Sequence, residues 1–387
     1  MLIVGAGIAG LTLALRLHRL GWTPIVLEQA SGLRADGYMI DFFGLGYDAA
    51  ERLGLIERLR AIHRPIPRLV SVDADGHERF ALRYQALRRR LFRGRHFTFL
   101  RGELARILCD AVEDGVSIRF GTTVRSIIQH DATVWAVLSD GTRERADLVV
   151  GTDGLHSRVR SLVFGEEPSF RLSLGHMASA WILDKLPDTV GSNAFWTLTA
   201  PGRMVAVYPI GGGRAATLFV HRTVDPAGEL AQGVGATLRS AYADLRWIVP
   251  QLLDSLTDSA YFDEVVQIQL DRWSRGRVAV LGDAAWCVSP LGGLGASLAM
   301  AGADGLASAL ESRGGGDIPV ALKEWEERWR PGIMRMQEAS RRTAAWFVPS
   351  DRFRMFARDL FVRASAWPLT SELLRWRLGL TQRPPGG

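Results

Sequence analysis

The sequence predicts an α/β protein with two domains, one built on a βαβ unit and one on a mostly antiparallel β-sheet, followed by C-terminal helices. Residues 1–30 are interpreted as an apolar strand, a glycine turn, a helix and a second strand. Between about residues 164 and 270, alternating apolar stretches indicate the antiparallel sheet. A buried strand at residues 277–281 then indicates that the chain returns to the first domain.

This order of elements predicts that the first domain is discontinuous. We expect it to comprise residues 1–163 and 271–345, with a second domain at 164–270 and helices at 346–387 that bridge the two. Residues 66–80 are interpreted as two strands joined through a turn at Asp75-Gly76, and a helix is expected from Arg101 to about Val112. One helix is expected near residues 229–247, and a long amphipathic helix at 325–346.

The composition is that of a folded globular protein. Hydrophobic residues make up 47% of the 387 residues and charged residues 23%, which argues against disorder and fibrous folds. The net charge of +6 is spread along the chain, with short runs such as Arg88 to Arg90, so we interpret it as a solvated surface and expect no nucleic-acid partner. Cys109 and Cys287 predict no disulfide framework. We expect a cytoplasmic monomer or weak dimer without a signal peptide or membrane span.

The first motif, Gly5-x-Gly7-x-x-Gly10, lies between the first strand and the first helix. This spacing is typical of a Rossmann-like dinucleotide-binding turn, in which the helix N-terminus faces a pyrophosphate. Glu28, at the end of the second strand, is in the position of an acid that accepts hydrogen bonds from an adenosine ribose. The residues predicted to contact the dinucleotide here are Gly5, Ala6, Gly7, Ile8, Ala9, Gly10, Glu28 and Gln29.

Two further motifs combine glycines with an aspartate that follows a strand. The second has the sequence GTDGLHSRVR at 151–160, and the third begins with GDAA at 282–285 and continues with Pro290, Gly293 and Gly295. The aspartate of the third motif can accept a hydrogen bond from a ribityl hydroxyl, and glycines let the backbone pass close to a flat ring. The helix after Gly295 would direct its amides towards that ring. Each motif alone is equally compatible with a glycine turn capped by an aspartate.

Together, and in this order, the three motifs resemble those of the FAD-dependent aromatic hydroxylases typified by para-hydroxybenzoate hydroxylase, the class A flavoprotein monooxygenases. The resemblance spans about residues 1–310. The chain length and the stretch Arg34-x-x-Gly37-x-x-x-Asp41 look most similar to tetracycline-inactivating and polyketide-tailoring monooxygenases. The chain departs from the family pattern at Trp286 and Leu294, where histidine and a polar residue are common.

The resemblance implies a Rossmann-like FAD-binding domain, a substrate-binding second domain, and the use of NAD(P)H and O2. In the family, NAD(P)H reduces the flavin, oxygen adds to form a flavin hydroperoxide, and the distal oxygen passes to an electron-rich carbon. Because the flavin carries this chemistry, we expect no catalytic side chain and no metal, and the eight histidines show no metal-binding spacing. The implied substrate is a bulky aromatic or polyketide-like small molecule, in antibiotic biosynthesis or antibiotic resistance.

The resemblance also implies which residues form the site. Arg101 would contact FAD, Arg34 matches a position linked to NADPH use, and Asp41 matches one near the flavin. The other implied cofactor-binding residues are Val124, Asp153, Asp283, Pro290, Gly293, Gly295, Ala296 and Ser297. The aromatic side chains of the second domain, with two residues of the third motif, predict a substrate pocket lined by Trp181, Trp196, Tyr208, Trp286 and Pro290.

Several alternatives share some of these features. The tryptophan motif of flavin-dependent halogenases is absent, since its nearest counterpart is RWIVP at 246–250. A flavin oxidoreductase without oxygen insertion, and an FAD-containing protein that sequesters a drug or pigment, both stay open. Residues 352–380 are rich in arginine and bulky apolar residues, as in some quinone-pathway hydroxylases, but we expect helices that close the two domains rather than a membrane-surface segment.

Overall fold

The computed structural model describes residues 1–33, 38–112, 114–289 and 293–365, without the side chains of 343–345 and 365. The first elements are β1 (Leu2–Val4), α1 (Ile8–Arg19), β2 (Ile25–Glu28), β3 (Met39–Phe43), α2 (Leu45–Arg52), α3 (Ile56–Ala61), β4 (Arg68–Val72), β5 (Glu78–Leu82), α4 (Tyr84–Leu91), β6 (His96–Leu100), α5 (Arg101–Val112), β7 (Ser117–Phe120), β8 (Val124–Gln129), β9 (Val134–Leu138), β10 (Arg143–Ala146), β11 (Val149–Gly151) and α6 (Arg158–Val163). There follow β12 (Arg171–Ala180), β13 (Ile182–Leu183), β14 (Ala194–Ala200), β15 (Arg203–Gly211), β16 (Arg214–Arg222), α7 (Pro226–Gln232), α8 (Val234–Ala241), α9 (Val249–Asp254) and β17 (Tyr261–Ile268). The last are β18 (Ser274–Arg275), β19 (Val278–Val280), α10 (Asp283–Trp286), α11 (Gly295–Ser312), α12 (Ile318–Phe347) and α13 (Arg352–Ser365).

A six-stranded sheet forms the centre of the first domain, in the order β18-β19-β11-β1-β2-β7. β1 is parallel to β2, and α1 connects them, so the βαβ unit predicted from the sequence is confirmed. β1, β11 and β19 are neighbouring parallel strands. Because the three motifs follow these three strands, the fold brings all of them to one edge of the sheet, where open α/β sheets bind ligands.

The second sheet has the order β17-β12-β16-β15-β14-β4-β5, with β13 also paired to β16. Its pairs are antiparallel except for the parallel pair of β14 and β4, so the mostly antiparallel sheet is confirmed. β4 and β5 come from the first 163 residues, however, and the boundary expected at residue 163 does not separate the two sheets. β4 joins the second sheet because its side chains Val70 and Val72 are buried in the core beneath that sheet.

The smaller elements differ from expectation in two places. The single helix expected near 229–247 is interrupted at Gly233, whose φ of +86° ends α7 before α8 begins. The helix expected at 325–346 begins earlier, since α12 spans Ile318–Phe347 and includes Pro331. α13 is one of the expected C-terminal helices, and residues 366–387 lie outside the described residues.

The two largest hydrophobic cores hold these layers together. One surrounds the parallel sheet and α1, α11 and α12, and the other lies between the second sheet and α8 and α9. Cys109 and Cys287 are both buried and unbridged. Within the described ranges, none of the helices combines the length and the apolar character needed to cross a membrane.

Candidate active site

A large cavity lies between the first and second sheets, where the three motifs meet. Its volume is about 1820 Å³, whereas a pocket for one small ligand usually holds roughly 300–1,000 Å³. One part of its wall comes from the first domain, including Gly7, Ile8, Ala9, Arg101, Gly154, Asp283, Gly293, Gly295 and Ala296. Another part comes from the second sheet and the last two helices, including Trp181, Phe195, Thr197, Tyr208, Ala216, Phe347 and Val362.

The glycine turn leaves open space in front of α1. Gly5 has a φ of +114°, and a Cβ there would lie 2.6 Å from the carbonyl oxygen of Thr152. A Cβ on Gly10 would overlap the carbonyl oxygen of Gly5. A Cβ on Gly7, in contrast, would meet no atom within 4 Å. Because no side chain in the described part of the chain caps α1, its first amides and the positive end of its dipole face the cavity.

Glu28 braces this turn from the end of β2. Its carboxylate accepts hydrogen bonds from the backbone N–H groups of Ala6 and Ala30, both at 2.9 Å. Ala6 is buried and Gln29 is exposed, and neither is among the described residues that line the cavity. The contact predicted between Glu28 and a ribose therefore stays a prediction.

The aspartate of the second motif holds the start of α6. The carboxylate of Asp153 accepts hydrogen bonds from Ser157 Oγ at 2.5 Å and from the backbone N–H groups of Arg158 and Val159 at 2.7 and 3.0 Å. Burial raises the pKa of Asp153 even though these hydrogen bonds oppose the shift. Gly154 lines the cavity, whereas Asp153 does not face it. Asp153 therefore acts on the site by shaping the loop.

Arg160, at the end of the second motif, ties that motif to the third. Its side chain is fully buried and donates to the Ala284 carbonyl at 3.0 Å and to Glu167 at 3.0 Å. The carbonyl of Val124 accepts from Arg158 Nε at 2.5 Å, and Val124 itself is buried away from the cavity. Val124 therefore positions the second motif, and the cofactor contact implied for it stays a prediction.

The third motif contributes a carboxylate and open backbone to the cavity. The Asp283 side chain is open to the cavity, yet the protein around it shields it from bulk water. This desolvation raises the pKa of Asp283, and the positive charge of Arg101 partly offsets it. Gly293 has a φ of +62°, and a Cβ there would meet no atom within 4 Å. Gly295 and Ala296 line the same region.

The remaining predicted residues of this region fall elsewhere. Ser297 is buried, and its Oγ accepts from the backbone N–H of Phe43 at 3.2 Å, so it packs α11 against β3 instead of lining the cavity. Pro290 and Arg34 lie outside the described residues.

Asp41 belongs to a charged network in the cavity wall. Its carboxylate pairs with Arg88, accepts from Thr98 Oγ1 at 3.3 Å and lies 3.5 Å from His96 Nε2. Burial alone would raise the pKa of Asp41, but Arg88 and His96 outweigh it and lower the pKa below its usual value. Arg88 also lies 4.8 Å from the centre of the Phe92 ring. The run Arg88 to Arg90 was expected on a solvated surface, and this expectation is wrong for Arg88, because its ion pair with Asp41 holds it in the cavity wall.

Three protonated residues line the cavity at positions that the sequence motifs did not identify as part of the site. Tyr38 and Tyr261 lie with ring centres 6.0 Å apart, and Cys287 lines the cavity near them. Burial raises the pKa of all three groups, so both hydroxyls and the thiol keep their protons at neutral pH. Tyr38 and Tyr261 are far apart in sequence and outside the glycine motifs, so only the packing of β17 beside residue 38 identifies them.

A histidine of the second motif connects the two domains at the cavity edge. His156 Nε2 lies 2.8 Å from Asp263 on β17, and Nδ1 lies 3.3 Å from Glu167. The hydrogen bond to Asp263 and the two carboxylate charges raise the pKa of His156. In its protonated form the ring pairs with Asp263 across the boundary between the two domains.

Two of the predicted pocket residues line the cavity, and two do not. Trp181 and Tyr208 line it, and Tyr208 is stacked on Phe195 with ring centres 4.8 Å apart. Trp196 points to the other side of β14, where its Nε1 donates to the Gly191 carbonyl at 3.1 Å, because side chains alternate along a strand. Trp286 is buried in the first core, 4.4 Å from the Trp273 ring centre. The pocket predicted from the sequence is corrected accordingly.

The residues of the cavity wall fit an FAD molecule. The space at Gly7, in front of uncapped helix amides, suits a pyrophosphate. The desolvated carboxylate of Asp283 suits hydroxyl donors, and the open backbone at Gly293 suits the close approach of a flat ring.

Comparisons with known proteins agree with this assignment. Residues 1–323 match the family model described as an FAD binding domain. A flavin-dependent monooxygenase of Legionella longbeachae is 29% identical over 330 residues, covering 81% of this chain and 81% of that protein. The crystal structure of tetracycline destructase Tet(51) is 27% identical with a TM-score of 0.81, covering 96% of both chains.

A more distant structure shares the fold. Klebsiella pneumoniae HpxO, complexed with FAD and uric acid, has a TM-score of 0.79 at 23% identity, covering 98% of this chain and 95% of that one. These findings confirm the resemblance inferred from the three motifs. The chain therefore belongs to the FAD-binding-domain family of flavin-dependent monooxygenases.

Proposed function

We propose that this protein uses NAD(P)H and O2 to insert one oxygen atom into a bulky aromatic or polyketide-like small molecule. The net reaction consumes one substrate C–H bond, O2, NAD(P)H and a proton, and yields a C–OH bond, water and NAD(P)+. The observation that carries this proposal is the continuous cavity of about 1820 Å³, which joins the phosphate-binding turn to an aromatic wall. A cavity of this size suits FAD and a substrate molecule in contact with each other.

The first domain would hold FAD. The amides of Gly7, Ile8 and Ala9 would bind the pyrophosphate, Asp283 would accept from ribityl hydroxyls, and Arg101 would balance negative charge. When bound, FAD would supply the redox and oxygen chemistry. The ion pair of Asp41 and Arg88 adds no net charge to the wall, so we assign it the role of fixing the wall beside the cofactor.

The second sheet would bind the substrate. Phe195, Thr197 and Thr199 alternate along β14 towards the cavity, and β12 and β16 of the same sheet contribute the small residues Ala178 and Ala216. Small side chains leave a flat floor over which a wide, planar molecule can lie, and the threonine hydroxyls can bond to its oxygen substituents.

The protonated groups would orient the substrate and limit water. Because burial raises the pKa of Tyr38 and Tyr261, each keeps its proton on Oη at neutral pH and can donate a hydrogen bond to a substrate oxygen. α13 and the end of α12 cover the substrate end of the cavity through Phe347 and Val362. Exclusion of water strengthens the electrostatic interactions inside the cavity.

The test is a purified protein with its visible spectrum, an FAD titration and NAD(P)H oxidation in the presence of polycyclic phenols. We expect bound flavin, oxidation stimulated by a subset of phenols, and a product that carries one atom of oxygen-18 from labelled O2. Stimulated oxidation without label in any product would indicate an oxidoreductase without insertion. Ligand binding without stimulation would indicate a sequestering protein. A colourless protein that does not bind added FAD would refute the proposed monooxygenase and both of these alternatives.

A further inference from the structure

α13 exposes three large apolar side chains, whereas its Asp359 is buried and its Arg358 is half-buried. Phe353, Phe356 and Leu360 are 79%, 63% and 59% exposed. At 3.6 residues per turn these positions fall within a sector of about 60° on the helix. We call these three residues the α13 stripe. A surface helix of a globular protein usually directs such a stripe at the core, so this one has the opposite orientation.

Ion pairs hold the other face of α13 against the protein. Asp359 is buried and lies 2.8 Å from Arg79 on β5. Arg358 pairs with Asp359 at 2.6 Å and donates to Thr199 Oγ1 of β14 at 3.2 Å. Because this charged face is fixed to the second sheet, the α13 stripe points away from the protein.

Exposed arginines border the α13 stripe. On the helical projection Arg352 and Arg363 lie on one side of it and Arg354 on the other, and all three are exposed. α13 as a whole contains four arginines and one aspartate. An apolar stripe between cationic side chains is the pattern of a helix that lies in the interface of an anionic bilayer.

The end of α12 packs beside α13 at the cavity. Trp346 and Phe347 are 44% and 41% exposed, and Trp346 packs edge-on against Phe361 with ring centres 4.8 Å apart. Both residues also line the cavity, as do Arg358 and Val362 of α13. The end of α12 therefore forms cavity wall, and the α13 stripe, which does not line the cavity, lies on the outer side of the same helical layer.

We propose that α13 docks the protein on anionic lipid surfaces, with the α13 stripe among the upper acyl chains and the bordering arginines at the lipid phosphates. A second copy of the chain is a poorer occupant, because symmetric docking through the stripe would bring the same arginines of both copies together. If the proposed function is correct, docking also brings the cavity to within about 10 Å, one helix diameter, of the membrane. An apolar substrate dissolved in lipid would then have a short path to the site.

The test is sedimentation of the full-length FAD-bound protein with sucrose-loaded vesicles. We expect binding to vesicles made of equal parts phosphatidylcholine and phosphatidylglycerol, weak binding to phosphatidylcholine alone, and release by high salt. The double variant Phe353→Ser/Phe356→Ser should weaken binding by at least about tenfold, given the free energy of burying one phenylalanine. The matched control is Ile128→Ser, which removes an exposed apolar side chain on β8 and should leave binding unchanged.

Substitutions of single arginines test whether the bordering arginines bind the lipid phosphates. Arg352→Gln and Arg363→Gln should each weaken binding to the anionic vesicles by about fivefold, whereas Arg143→Gln on β10 should not. All variants should keep the wild-type FAD content and melting temperature, because each changed side chain is exposed.

Three results would overturn the proposal. The first is that the wild type does not bind anionic vesicles. The second is that Phe353→Ser/Phe356→Ser binds them as the wild type does. The third is concentration-dependent self-association by light scattering that this double variant abolishes, without any vesicle binding. Because sedimentation does not depend on turnover, its failure is distinguishable from failure of the proposed monooxygenase activity.

Discussion

Two alanine substitutions in the glycine turn should separate folding from cofactor binding. In Gly10→Ala the new Cβ would overlap the Gly5 carbonyl oxygen and lie 2.6 Å from Thr152 Oγ1. Neither atom can move freely, because Thr152 Oγ1 donates to that carbonyl at 2.8 Å. Overpacking costs up to about 3 kcal/mol, and alanine regains about 1 kcal/mol over glycine within a helix. We therefore expect a net loss of about 2 kcal/mol in the free energy of unfolding.

Gly7→Ala should destabilise the fold only slightly and weaken FAD binding. Its Cβ would meet no atom within 4 Å, and its φ of −80° is allowed for alanine. The remaining cost, at the N-cap of α1, is about 1 kcal/mol or less. The added methyl would occupy the space in front of the α1 amides, however. Losing one charge-assisted hydrogen bond there costs about 2 kcal/mol, which raises the Kd for FAD about 30-fold.

Thermal unfolding of the FAD-free protein and fluorescence titration with FAD measure the two effects. Gly10→Ala should lower the melting temperature by several degrees, and Gly7→Ala should lower it less while binding FAD more weakly. Gly316→Ala is the control, since its Cβ has only an ordinary contact, at 3.5 Å, and it lies outside the cavity. The reasoning fails if Gly7→Ala destabilises the FAD-free protein as much as Gly10→Ala, or if it binds FAD like the wild type.

Three further substitutions test the charges and the pocket. Asp283→Asn should raise the melting temperature of the FAD-free protein at neutral pH, because burial raises the pKa of Asp283 and disfavours its ionised form. The same substitution should weaken FAD binding about tenfold. Unchanged FAD affinity would contradict the assigned contact. Asp41→Asn should lose about 2–3 kcal/mol of stability to urea at neutral pH by leaving Arg88 without its carboxylate. Because the folded pKa of Asp41 is lowered, the gap should close as pH falls below the ordinary value of 3.8, and a gap independent of pH would refute the ion pair. Trp181→Ala should change KM for the substrate. Trp286→Ala should instead cost about 3–5 kcal/mol of stability and leave KM unchanged in the folded fraction. Equal effects on KM would refute the assignment of Trp181 to the cavity wall and of Trp286 to the core.

The glycine motifs were predictable from the sequence because their chemistry is local. Gly5, Gly7 and Gly10 are constrained by a turn of six residues, and the structure agrees with the expected strand, turn and helix. The third motif was recognised for the same reason, and Asp283 and Gly293 both line the cavity. Local backbone requirements of this kind leave a readable spacing in the chain.

Side-chain direction was less predictable. Trp181 and Trp196 are both aromatic residues in strands of the second domain, yet only the strand register determines which of them faces the cavity. Trp286 follows a cofactor motif but turns into the core beside Trp273. Arg88 belongs to a run of three arginines, and nothing in that run distinguishes it from its solvated neighbours.

The order of motifs along the chain was therefore sufficient to infer the fold, the family and the FAD-binding turn, since each depends on spacing within a few residues. The composition of the cavity wall required the folded chain. β4 joins β14, residue 38 meets Tyr261, and α13 closes over the second sheet through pairings between distant segments. Contacts at such separations are determined by the packing of whole layers, which no short stretch of sequence specifies.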